Sequence, residues 1–236
     1  MPTSSDGFNE RAEALTRDLV AQGRRVQAML EAAFEALFEQ SREKAEAAIA
    51  RDDEIDRVDV EIERGCVQLL TDATREGSHL SATQLRAVLT VVKVNNEFER
   101  AADVATDIAT LAKDLPAGGP PFPDTFRVMA NSVIGIVRDA NTAIARNDPT
   151  LAHIVLQSQH AVTAFKDAVL RDAEDKLAKG QIRTDFAFLL HEIANACEVV
   201  ADHCTNIAEQ VIYLTTGSIV RHMPTSWVQV GKTTAG

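Results

Sequence analysis

Two stretches of this chain repeat one pattern able to do chemistry, Asn-x-x-Glu-x-x-x-Asp: Asn96, Glu99 and Asp103, then Asn195, Glu198 and Asp202. At 100° per residue the members of each set share one helix face. His191 precedes the second set on that face. The first set continues the sector of Leu85, Val88, Leu89 and Val92, so its carboxylates extend a face that begins apolar. Two carboxylates one turn apart repel by roughly a few tenths of a kcal/mol even in water. On a partly apolar face the cost rises unless cations compensate. A second acidic row, Asp52, Asp56, Asp59 and Glu63, borders the apolar stripe Ile55, Val58, Ile62, Cys66 and Leu69. If that row faces Glu99 and Asp103, the carboxylates form an all-oxygen pocket suited to Mg²⁺, Mn²⁺ or iron. The alternative is a solvated acidic surface. The helix of Glu99 has another apolar stripe, through Val91, Val94, Phe98, Ala101, Ala105 and Ile108, and on that reading its acids face water beside Arg100.

These side chains need helices to hold them, and the punctuation of the sequence supplies six. The first runs from Phe8 to about Gln40, with Gly23 as a tolerated weak point. Ser41 caps a second that reaches Glu76, before the break at Gly77-Ser78-His79. Ser81-Ala82-Thr83-Gln84 reads as a capping box opening the third, which ends near Lys113. The Pro- and Gly-rich stretch Pro116 to Pro123 cannot be helical and separates two halves. A fourth helix spans Asp124 to Arg146. Asp148-Pro149 restarts the chain into a fifth, ending near Lys179, and the sixth covers Thr184 to Thr216 before Gly217.

The second half repeats the first. Shifting residues 96–109 by 99 positions matches Asn96 to Asn195, Glu99 to Glu198, Ala102 to Ala201 and Asp103 to Asp202. It also matches Thr106, Ile108 and Ala109 to Thr205, Ile207 and Ala208. The expected fold is all-α, built from two tandem three-helix bundles. Residues 8–113 form the first bundle, 114–123 the linker, 124–216 the second bundle and 217–236 a C-terminal tail. Aligning Ser41 with Asp148 gives a shift of 107 for the preceding helix of each half. It sets Gln159, Thr163 and Lys166 where the first half has Asp52, Asp56 and Asp59.

Composition excludes several classes of function. A net charge of −11 over 236 residues gains nothing from counterion release on a nucleic acid and repels anionic lipid. No nucleic acid partner is expected, and the membrane is reached only through partners. The first ten residues lack the apolar core of a secretory signal, and no apolar run is long enough to span a bilayer. Cys66, Cys197 and Cys204 sit in apolar-periodic segments and read as buried free thiols of a reducing cytoplasm. Nucleotide-binding loops and nucleophile elbows are absent, and the single Glu-x-x-His, Glu76 to His79, is one short of a carboxylate di-iron centre. No enzymatic activity is expected.

Asn96-Glu97-Phe98-Glu99-Arg100-Ala101-Ala102-Asp103 resembles the Glu-Arg-x-x-Asp signature in the third helix of PhoU proteins. Ala201-Asp202-His203-Cys204-Thr205-Asn206-Ile207-Ala208-Glu209 is similar to its second copy, and Tyr213 to Gly217 with Val220-Arg221-His222 to the family's closing segment. The resemblance covers nearly the whole chain, from Phe8 to His222. It implies a cytoplasmic negative regulator of phosphate uptake and of the phosphate regulon. Such a protein is an adaptor between the ATPase of the Pst phosphate transporter and a phosphate-sensor histidine kinase, and is often a homodimer. It also implies metal clusters, with Asp52, Asp56, Asp59, Glu99 and Asp103 as ligands of the first and Glu198 and Asp202 of the second. The other function these carboxylates allow is a metal-storage or redox bundle in which they act directly. The sequence departs from the family where Val199 replaces the expected arginine and Lys166 brings a positive charge. The expectation is a metal site kept in the first bundle and lost in the second, or held there weakly with His191.

Overall fold

A computed structural model describes residues 5–115 and 119–220. Residues 116–118 of the expected linker and 221–236 of the expected tail, including Arg221 and His222 of the closing segment, lie outside the described residues. The described chain forms α1 (Ser5–Glu39), α2 (Arg42–Ile49), α3 (Asp52–Arg75), α4 (Ala82–Asp114), α5 (Asp124–Arg146), α6 (Pro149–Ala178) and α7 (Thr184–Thr216). It contains no strand among these residues, and the all-α expectation holds.

Caps account for most of the boundaries. The Ser41 side chain accepts from the Lys44 amide, and the Ser81/Gln84 capping box is closed in both directions. Asp148 accepts from the amides of Thr150 and Leu151, with Pro149 opening α6. Gly77, Gly180 and Gly217 take positive φ where α3, α6 and α7 end, a conformation that costs glycine nothing. The second expected helix is interrupted at Ala50-Arg51, dividing it into α2 and α3. No Gly or Pro marks that break. Asp52, Asp53 and Glu54 place three acids in the first turn of α3, where the amide ends of the helix favour negative charge.

The two halves lie side by side over one continuous core, in which α1 packs on α5 and α4 on α7. Burial follows the repeat: Val94, Phe98, Ala101 and Ile108 are matched by Ile193, Cys197, Val200 and Ile207. One end of the junction is an aromatic cluster. Phe122, just before α5, packs against Phe38 at 5.8 Å and Phe186 at 5.5 Å between ring centroids. Gly23 proves to be a site of close approach. A Cβ there would stand 2.5 Å from Cζ of Phe98 and 2.6 Å from Oδ1 of Asn141, whose Nδ2 donates to the Val20 carbonyl at 3.1 Å. Cys66, Cys197 and Cys204 are buried free thiols, as expected, and burial pushes the Cys197 thiol up to about 12.

Candidate cation site and its altered copy

The α3–α4 hairpin brings the first acidic set together along one seam. Asp52 lies within electrostatic reach of Asp56 and Asp103, and Glu99 within reach of Asp103, Asp59 and Asp56. Asn95, buried on α4, fixes the register. Its Nδ2 donates to Asp59 Oδ1 at 2.6 Å and to the Asp59 carbonyl at 3.0 Å. Burial first, and then neighbouring carboxylates, push the Asp52, Asp59 and Glu99 carboxyls above their ordinary values. Asp56 and Asp103 remain exposed at the rim. Among the described residues, no three His, Cys, Asp or Glu side chains converge closely enough to hold a metal ion. In kind the donors fit a hard cation; in the structure they are an open row.

The α6–α7 hairpin repeats this seam with different charges. Lys166 Nζ lies 2.6 Å from Glu198 Oε2, and Thr163 Oγ1 donates to Glu198 Oε1 at 3.0 Å. Gln159 Nε2 donates to Asp202 Oδ1. These are the three residues that the repeat aligns with Asp59, Asp56 and Asp52. The Lys166 hydrogen bond is the largest influence on Glu198 and holds its carboxyl below the ordinary value. Burial, then the charge of Glu198, raises that of Asp202 against the opposing Gln159 hydrogen bond. His191 does not complete this set. It is exposed beside Phe188 in another groove, and the seven-residue step from it to Glu198 spans about 10 Å of helix.

Sequence reasoning passed over Glu97. It is buried where α4 meets α7, and its Oε2 is 2.8 Å from Nδ1 of His203 and accepts from Nδ2 of Asn206 at 3.1 Å. Burial pushes the Glu97 carboxyl up, but these two hydrogen bonds and the His203 charge carry it below its ordinary value. The three side chains join the two repeats. Glu97 falls on the buried side of α4, and that position was the one signal in the sequence that it needs a partner.

Comparison with known proteins matches this architecture throughout. The PhoU domain model matches twice, over residues 19–112 and 126–211. A curated relative from Pseudomonas putida, named phosphate-specific transport system accessory protein PhoU homolog, is 31% identical over 93% of this chain and 84% of its own length. The crystal structure of PhoU from Pseudomonas aeruginosa superposes with a TM-score of 0.82 at 27% identity, covering 89% of this chain and all of that one. The phosphate transport system regulatory protein PhoU from Streptococcus pneumoniae shares the fold with a TM-score of 0.82 at 22% identity, over 90% of this chain and 99% of that one. With both halves matched in order, the chain belongs to the PhoU family.

Proposed function

We propose that this protein is a non-enzymatic regulator that restrains phosphate uptake from the cytoplasmic side of the membrane. It acts as an adaptor between the ATPase of a Pst-type phosphate transporter and a phosphate-sensor histidine kinase. The observation that carries this reading is the paired family match together with a relative, similar along most of both chains, that is named as an accessory protein of phosphate transport. No helix among the described residues is long and apolar enough to cross a membrane, in keeping with a protein that meets the bilayer through partners. Gene deletion tests the role. Phosphate uptake is expected to stay high in phosphate-rich medium, and an affinity-tagged chain to retain the transporter ATPase. Unchanged uptake with no ATPase retained overturns it.

In the same reading Asp52, Asp56, Asp59, Glu99 and Asp103 hold a cation such as Mg²⁺, Mn²⁺ or iron. Such an ion supplies the positive charge that the α3–α4 seam lacks. Exposed Asp56 and Asp103 are free to turn toward it. Glu198 and Asp202 need no such ion, because Lys166 and Gln159 already satisfy them. The two repeats thus answer the same repulsion differently, one with a bound ion and the other with a resident ammonium.

A further inference from the structure

Each hairpin exposes apolar side chains at its tip, next to its seam, and the α6–α7 hairpin has a groove there. In the second repeat Leu170, Leu177 and Phe188 line it, with Phe188 70% exposed. The repeat shifts carry Leu177 and Phe188 onto Leu70 and Leu89 of the first repeat. There Val67, Leu85 and Leu89 are 60%, 42% and 49% exposed. Leu89 and Phe188 are copied in register and both left in water, and Val67 and Leu85 extend the exposed apolar patch of the first repeat, a surface suited to contact.

The two tips differ in what adjoins them. Along α3 the apolar tip gives way to Glu63, Asp59 and Asp56, and along the antiparallel α4 to Glu99 and Asp103. The face is apolar at one end and strongly acidic at the other. The equivalent acids of the second repeat are already paired with Lys166 and Gln159. We infer that the α3–α4 face docks a helix of a partner protein whose apolar residues fill the tip and whose lysines or arginines lie along the acids. Lys166 shows how a lysine fits that position: its ammonium stands 2.6 Å from Glu198, the counterpart of Glu99. Residues 52 to 70 extend about 27 Å, the length of a five-turn helix. Anionic lipid and a second copy of this acidic chain are disfavoured by charge.

The partner's lysines or arginines compete with the proposed cation for this acid row, so the inference does not rest on a metal being bound. The test is fluorescence anisotropy of the full chain with a synthetic helix of about 20 residues, leucines on one half and lysines on the other. Leu89→Glu, and separately Asp56→Asn with Glu63→Gln, are expected to weaken binding about tenfold, and added salt to weaken it further. Phe188→Glu in the second repeat is expected to change it less than about twofold. Binding that persists unchanged when Mn²⁺ has no effect on the protein supports docking while the metal reading fails. Equal affinity for a peptide with glutamates in place of its lysines overturns the proposal. So does an equal loss in Phe188→Glu and Leu89→Glu. Capture of the chain by anionic vesicles, or self-association, that Leu89→Glu abolishes would assign the face to lipid or to a second copy instead.

Discussion

Glu99 and Glu198 stand at the same place in the two repeats and titrate in opposite directions. The Lys166 ammonium lowers the Glu198 carboxyl, whereas burial and three neighbouring aspartates raise that of Glu99. A carboxyl raised in the folded state destabilises once ionised, and protonation relieves that cost. Glu99→Gln should therefore increase the melting temperature at neutral pH in chelator. The gain should shrink as pH falls through the Glu99 folded pKa and vanish below its unfolded value near 4.5. Thermal melts from pH 7 to pH 4 check this; a variant less stable than wild type at pH 7 without divalent ions speaks against an uncompensated row. Much of this contrast was legible in the sequence, because the repeat set Lys166 against Asp59 without coordinates. The Glu97–His203–Asn206 contact was not. Its partners lie more than 100 residues apart in different repeats, and the repeat does not align them with each other.

At the level of helices, short-range signals served well. Ser41, the Ser81/Gln84 box, Asp148-Pro149 and Gly217 each act on their own turn, so the cap was readable from neighbouring residues. Two features depended on more distant packing. The break between α2 and α3 has no breaker residue, and Arg51 stabilises it by donating to the Ala28 carbonyl of α1 at 2.9 Å. Gly23 read as a weakness in α1 because helix propensity alone ranks it poorly. In the fold its missing Cβ admits Phe98 and Asn141. Gly23→Ala gains about 1 kcal/mol of helix propensity but forces a buried ring to move, which costs about 1–3 kcal/mol. Urea denaturation is expected to show net destabilisation; a stabilised variant would mean that the Phe98 ring yields easily.

Across the whole molecule, the pairing of repeats makes one core from two bundles, and Glu97 is a charged group buried at that junction. Replacing it with alanine leaves His203 and Asn206 without their acceptor in a buried place. Glu97→Ala is expected to cost about 2–4 kcal/mol and to speed amide exchange along α4 and α7 more than along α3 and α6. Uniform exchange across all helices would show that the contact does not hold the halves together specifically.

The proposed function has the same carboxylate pattern take a cation in one repeat and a lysine in the other. Metal analysis of the purified protein and two variants tests it most directly. Glu99→Ala should lose the bound metal, and Glu198→Ala should keep it at the wild-type ratio. Equal loss in both variants, or a wild-type chain that holds no divalent ion or iron at all, contradicts the claim.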